Sequence, residues 1–430
     1  MSAPRLVWYG DDFTGATDTL ATLAGFGLRA LLFLDVPSPE RLAAAGPLDA
    51  IGVAGAARAM GPDEMATELA PVGAFFARSG ARVLHYKCCS TFDSAPHVGS
   101  IGAALRALRP HAPNPLVSIL GGQPSLGRYC VFGNLFARSG ADGPAHRIDR
   151  HPTMARHPVT PMGEADLARH LAAQGLERMG RIEYPAYAAG VEALGRGLNA
   201  AAAGHPDGML LDVSCPHDLA IIGPALWAAA EGAPLLAVGA SSVAQALAAA
   251  WGAQAVGATP LGPAAGPVFV LAGSLSPVTR RQVEAARNYE KVCVDAGSLV
   301  GSDAYRDRVL AQVAALLGAG RNVLAVSAPQ EGGTQSVTLE PTAVAASSAR
   351  FVADLIARAP VRRLGVAGGD TSSQAVKALR PWALQHIATM PPGVAVCRAR
   401  FDEPTLDGLE LMLKGGQMGA ETLFDDFVSG

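Results

Sequence analysis

The sequence predicts an α/β protein made of two units, each built on a largely parallel sheet and joined by a Gly/Pro linker. Three observations carry this reading. Short apolar runs alternate with longer helix-period segments from end to end. The alternation pauses once, at Gly257–Pro267 (GATPLGPAAGP), where prolines and glycines can continue neither element. Half of the 430 residues are hydrophobic and 17% charged, enough to bury a core over most of the length. Ligand sites commonly lie in clefts between such units, so the active site is expected there.

In the first unit, strands are predicted at Arg5–Gly10, Arg29–Val36, Ala50–Gly55, Val83–Lys87, Leu116–Leu120, Met209–Val213 and Leu235–Val238. Helices fall between them, at Thr14–Gly27, Pro62–Ser79, Gly99–Leu108 and Glu164–Gln174. Leu20, Leu23, Ala24 and Gly27 share one face of the first helix, giving it a stripe to bury. After the linker the rhythm restarts with strands at Val268–Ala272, Val292–Asp295, Val323–Val326 and Leu364–Ala367. The helices here are Pro277–Asn288, Ala304–Leu317, Thr342–Ala359 and Ser372–Leu379. Two short strands, Gly393–Arg398 and Leu409–Leu413, and a helix near Glu421–Val428 close the chain. The predicted units are residues 1–256 and 268–430.

Composition excludes several functions. A formal charge of −3 offers no basic face for nucleic acid and no polybasic membrane anchor. No stretch is long and apolar enough to span a bilayer, and the first apolar run is too short for a signal peptide. A soluble, cytoplasmic protein is expected. The six cysteines show no metal-ligand spacing, so free thiols are expected. A homodimer is left open.

Six segments attract attention. Gly10–Asp18 (GDDFTGATD) follows the first strand, where open α/β sheets bind ligands; Asp11 and Asp12 either cap the helix or meet a substrate. His85–Ser94 (HYKCCSTFDS) holds Lys87, and only four of the 34 basic residues are lysines. With Ser90, Thr91 and Asp93, its charge suits an anionic or polyhydroxylated ligand, though a solvated lysine before a turn has the same sequence. Arg147–Met162 (RIDRHPTMARHPVTPM) reads as a long non-helical loop whose Arg150, His151, Arg156 and His157 either hold a carboxylate or are solvated. In the second unit, Leu271–Pro277 (LAGSLSP) and Ala367–Ser373 (AGGDTSS) are glycine-bearing strand-to-helix turns. Such turns bring backbone N–H groups and a helix N-terminus to a phosphate. Lys414–Gly419 (KGGQMG) adds a third glycine turn after a strand. Two formal motifs fail on context. Gly25–Ala30 closes a helix instead of opening one, and Gly122–Tyr129 has Arg128 and Tyr129 where a phosphate loop needs Lys and Ser/Thr.

Together these segments resemble the four-carbon acid sugar kinase family. GDDFTGATD resembles its N-terminal signature, and HPVTPM at His157–Met162 a further segment of the same domain. GSLS at Gly273–Ser276, GGDT at Gly368–Thr371 and KGG at Lys414–Gly416 resemble its nucleotide-binding elements, in order. The resemblance implies phosphorylation by ATP, with Mg²⁺, of threonate, erythronate or 3-oxo-tetronate. It implies an acid-sugar unit followed by a nucleotide unit. Asp12 or Asp11 would act as base, and Lys87, Ser90, Thr91, Asp93, Arg150, Arg156 and His157 would surround the acid. Ser274, Ser276, Gly368, Gly369, Asp370, Thr371, Gly415 and Gly416 would hold the nucleotide. One segment departs from the pattern. Where many members read K-x-D-S-T-L-R-G, this chain has Cys89 for Asp, Asp93 for Arg and Ser94 for Gly. An amino-bearing acid such as 4-hydroxythreonate is the alternative substrate, and a non-catalytic ligand-binding regulator the alternative role.

Overall fold

The computed structural model describes every residue except 1–2, 141–142, 258, 274–275, 329–339, 392 and 417. It separates into two compact units, Met1–Val256 and Gly257–Gly430.

In the first unit, β1 (Leu6–Gly10), β2 (Ala30–Phe33), β3 (Ala50–Ala54) and β4 (Val83–Lys87) are followed by β5 (Val117–Gln123). A ribbon of β6 (Arg128–Val131), β7 (Asn134–Arg138) and β8 (Ala145–Arg147) precedes β9 (Met179–Ile182), β10 (Gly208–Asp212) and β11 (Leu235–Gly239). Eight strands pair in parallel in the order β2-β3-β1-β4-β11-β5-β10-β9. The central strands are covered on both faces, so they read as unbroken apolar runs; every residue of β1 (LVWYG) is buried. Glycines in and after β3 make room for the aromatics of β1. A Cβ at Gly52 would stand 2.2 Å from the Trp8 ring, and one at Gly55 would stand 1.9 Å from Tyr9.

The chain leaves β1 through helix α1 (Phe13–Gly25) toward β2 on one side, whereas the connection from β4 leads to β5 on the other. The carboxyl ends of adjacent β1 and β4 therefore form the switch point at which such sheets bind ligands.

The second unit contains β12 (Val268–Ala272), β13 (Glu290–Asp295), β14 (Val323–Ala328), β15 (Arg363–Ala367), β16 (Ala383–Met390), β17 (Val394–Arg400) and β18 (Glu410–Lys414). Its order is β13-β14-β12-β15-β18-β17-β16, parallel through β18 and antiparallel at β17 and β16. The winding around its first strand repeats that of the first unit, and the switch point falls between β12 and β15.

Several boundaries differ from the sequence expectation for local reasons. The helix expected at Glu164–Gln174 is Leu167–Ala172, because Asp166 is extended and caps it by accepting from the N–H groups of Ala168 and Arg169. The helix expected at Ser372–Leu379 starts at Gly369. The loop expected at Arg147–Met162 begins as the end of β8 and contains two 3-10 turns, Ile148–Arg150 and Met154–Arg156. The strands β6 to β8 and β16, absent from that expectation, pair in antiparallel fashion. Cys88, Cys130 and Cys397 are buried free thiols and Cys293 is exposed. No helix among the described residues is long and apolar enough to cross a membrane.

Candidate active site

The two aspartates after β1 occupy different environments. The Asp11 N–H donates to the Lys87 carbonyl at 3.0 Å, which binds the end of β1 to the end of β4. The Asp11 carboxylate is buried and receives both sides of the Arg58 guanidinium, Nη2 to Oδ1 at 2.8 Å and Nε to Oδ2 at 3.2 Å. Burial raises its pKa above the ordinary aspartate value, with the charge of Arg58 opposing that rise and Asp12 adding to it. Asp12 is the N-cap of α1. Its Oδ1 accepts from the Gly15 N–H at 2.7 Å and its Oδ2 from Arg58 Nη1 at 2.8 Å. The Asp12 side chain is 30% exposed against 5% for Asp11. The sequence alone did not point to Arg58, whose guanidinium joins the two carboxylates. Its signal was available: it is a lone cation just past β3, next to β1.

Lys87 ends β4, with its side chain buried and its Nζ donating to the Cys88 carbonyl at 2.8 Å. Gly15 leaves it room, since a Cβ there would lie 2.4 Å from Nζ. Burial works against its charge, but Asp11 and Asp12, then Cys89 and Asp18, outweigh burial and raise its pKa. The following turn is held from inside. Thr91 Oγ1 donates to Asp93 Oδ1 and lies 2.9 Å from Cys89 Sγ. Phe92, between them, is buried at φ 54, a left-handed conformation unusual for an aromatic residue. Ser94 is tied at 2.9 Å to His170 Nε2 and accepts from Gln174 Nε2 at 2.8 Å, so the helix after Asp166 braces the turn. Ser90 is buried beside it.

The loop residues are placed differently. Arg150 and Arg156 are exposed, Arg150 beside Asp149, and His157 Nδ1 accepts from the Thr160 N–H at 3.1 Å. Among the described residues no hydrogen bond or ion pair ties these three to Lys87; the arginine at the acidic corner is Arg58.

The second unit brings its three glycine turns together. The Gly273 N–H donates to the Ala367 carbonyl and the Gly368 N–H to the Lys414 carbonyl, both at 2.9 Å. Ser276 caps the helix Pro277–Ala285 and donates to the Gly416 carbonyl, which also accepts from Thr279 Oγ1 at 3.0 Å. The Lys414 side chain is buried and donates to Thr279 Oγ1 at 2.9 Å; burial pushes its pKa down to about 8. Gly368 has φ 138, a conformation that requires glycine, and Gly369 opens the helix Gly369–Leu379. A Cβ on Gly369 would meet nothing within 4 Å, so open space lies over the first turn of that helix. Asp370 and buried Thr371 stand in the same turn, and Gly415 lies just past β18. Ser274 falls outside the described residues.

A family model described as a sugar-binding N-terminal domain matches residues 6–247, and one described as a nucleotide-binding C-terminal domain matches 269–424. A 3-oxo-isoapionate kinase of Paraburkholderia graminis is 38% identical, across 97% of this chain and 93% of that protein. A 3-oxo-tetronate kinase of Methylobacterium radiotolerans is 33% identical, across 96% of each chain. The crystal structure of a Salmonella typhimurium LT2 protein called a tRNA synthase superposes with a TM-score of 0.83 at 26% identity, covering 99% of this chain and 98% of that one. Fold, site and relatives define a kinase, a phosphotransferase acting on a hydroxyl group. The chain belongs to the four-carbon acid sugar kinase family.

Proposed function

We propose that the chain is an ATP-dependent kinase that phosphorylates O4 of a tetronate-like acid, with 3-oxo-tetronate and 3-oxo-isoapionate as the first substrates to test. One observation carries the reading. Each unit presents a built corner at its own switch point, charged in the first and glycine-lined in the second. The first suits a small polar acid and the second a polyphosphate.

Asp12 is the better-placed base of the two aspartates, because Asp11 is buried and has both oxygens on Arg58. Asp12 would accept the proton of the acceptor hydroxyl. Arg58 fixes both carboxylates and is a positioning residue. Lys87 would donate to an acceptor oxygen of the acid, with Ser90, Thr91 and Asp93 shaping the turn around it. Arg150, Arg156 and His157 would reach the acid from the loop.

In the second unit, N–H groups at Gly369–Thr371 and Gly415–Gly416 would receive the phosphates, with Gly368 and Ser276 holding the turns; the open space over Gly369 fits that role. ATP supplies the phosphoryl group. Among the described residues no cluster of three or more possible metal ligands occurs. When bound, Mg²⁺ would be carried mainly by the phosphates, with Asp370 in the first helical turn as the candidate carboxylate. Such a reaction depends on alignment and charge neutralisation more than on covalent chemistry.

The test is coupled ADP release over 3-oxo-tetronate, 3-oxo-isoapionate, threonate and erythronate, with the product's phosphate position read by NMR. Turnover with at least one acid and phosphate on O4 is expected. ATP and acid binding with no ADP release would mark a regulator instead.

A further inference from the structure

One carboxylate near the Lys87 corner has no part in the chemistry above. Asp18 lies on α1, one turn beyond Gly15 and on the same face, the face that Lys87 approaches. Its Oδ2 accepts from Ser241 Oγ, and from Gln123 Nε2 at 3.3 Å. Ser241 is completely buried and is itself held by Thr19 Oγ1 at 2.9 Å. Gln123 is 2% exposed, and its Oε1 has no hydrogen-bond partner.

These residues come from three neighbouring strand ends. Lys87 ends β4, Ser241 follows β11 and Gln123 ends β5, and those strands are adjacent in the sheet. Two buried side chains thus fix one oxygen of an aspartate that is only half-buried. Its Oδ1 carries no hydrogen bond among the described residues. A carboxylate held on one side and open on the other is built to accept a hydrogen bond from something else.

Lys87 completes the arrangement. Among the described residues its Nζ makes one hydrogen bond, to Cys88, and it has two further N–H groups. Asp18 is close enough to contribute to its charge balance. An ammonium with donors to spare and a carboxylate with an acceptor to spare therefore share one face of α1 at neighbouring strand ends. The complementary ligand has a carbonyl or carboxylate oxygen beside a hydroxyl.

We infer that Asp18 is a specificity-determining residue that accepts the C2 hydroxyl of the acid, beside the oxo or carboxylate oxygen held by Lys87, with Ser241 and Gln123 as its positioning residues. The C2 position follows from either choice of Lys87 partner. The carbon next to the carboxylate is C2, and the free hydroxyl next to a C3 oxo group, once O4 is reserved for phosphate, is again on C2. This rests on the acid-binding reading of the first unit but not on turnover.

Acid binding without nucleotide provides the test, by calorimetry on the full chain with threonate, erythronate and 3,4-dihydroxybutanoate, which lacks the C2 hydroxyl. The wild type is expected to prefer the better tetronate over the deoxy acid by roughly ten- to a hundredfold. Asp18→Ala should bring the two affinities together by weakening only the tetronate. Ser241→Ala should narrow the gap in the same direction, and it keeps the inference falsifiable if Asp18→Ala does not fold. Equal losses for both acids in a folded variant would overturn the inference, as would a wild type indifferent to the C2 hydroxyl. Acid discrimination without ADP release would sink the kinase reading and leave this one standing.

Discussion

The two switch points share a winding and differ in what fills it. Around β1 and β4 the space is taken by side chains: Arg58 lies across Asp11 and Asp12, and Lys87 presses on Gly15. Around β12 and β15 glycines take the place of side chains, Gly273 and Gly368 tying the strand ends together and Gly369 standing exposed, and the lysine lies beneath at Thr279. A small acid is recognised by a few charged groups fixed in place, whereas phosphates are recognised by N–H groups that need side chains absent. The same topology serves both because it supplies only the crevice.

The comparison breaks most visibly at Asp12. Asp12→Asn should lower kcat by ~10² to 10⁴ with ATP affinity unchanged, since only the first corner is touched. Near-normal kcat in a variant of unchanged Tm would reduce Asp12 to a helix cap. Arg58→Met should come next, costing about 3 to 5 kcal/mol of stability because it strands the buried Asp11 carboxylate. Denaturant unfolding measures this, and a loss below about 1 kcal/mol would contradict the clamp.

One substitution made on both sides sharpens the contrast. Gly369→Val enters open space, so Tm should hold while ATP binding weakens at least tenfold, about 1.4 kcal/mol. Gly15→Val would drive atoms into Lys87 and Asp12, so acid binding and Tm should fall together with ATP affinity kept. Calorimetry with each ligand separates the outcomes, and a matching pattern in both variants would refute the division of labour.

The smallest effect concerns pH. Burial holds Lys414 at about 8 against an ordinary 10.5, so between those values the folded chain binds fewer protons than the unfolded one. Stability from this group therefore rises with pH across that window, as the cost of the buried ammonium is relieved. ATP affinity should run the other way, falling roughly severalfold above pH 8, and Lys414→Gln should flatten the fall. A wild-type profile flat from pH 7 to 10 would remove Lys414 from the nucleotide corner.

What could be read in advance depended on how local the cause was. Val83–Lys87 and Pro62–Ser79 were legible to the residue, because an apolar strand run and a Gly-Pro start are written in consecutive positions. The glycine turns were legible as turns, and the strand ends that unite them followed from the rule for open sheets. Arg58 was legible only as a lone cation just past β3; its pairing was not, because its partners are 46 and 47 residues away. The ribbon β6–β8 was hidden inside a stretch noticed only for its failed phosphate-loop spacing. Antiparallel pairing there is set by neighbours across the ribbon, which no single-strand pattern contains. Asp18 was visible as a third aspartate in GDDFTGATD, but its grip by Ser241 and Gln123 joins positions 223 and 105 residues apart.

The distribution of thiols has a practical consequence for the open question of a dimer. Burial keeps Cys88, Cys130 and Cys397 far from the thiolate form, whereas Cys293 is exposed on β13, which among the described residues pairs only with β14. Cys293 is thus the thiol best placed to join two copies covalently in air. A sedimentation result obtained without reductant would report that oxidation rather than self-association. The oligomeric state therefore has to be measured on a Cys293→Ser chain or under dithiothreitol.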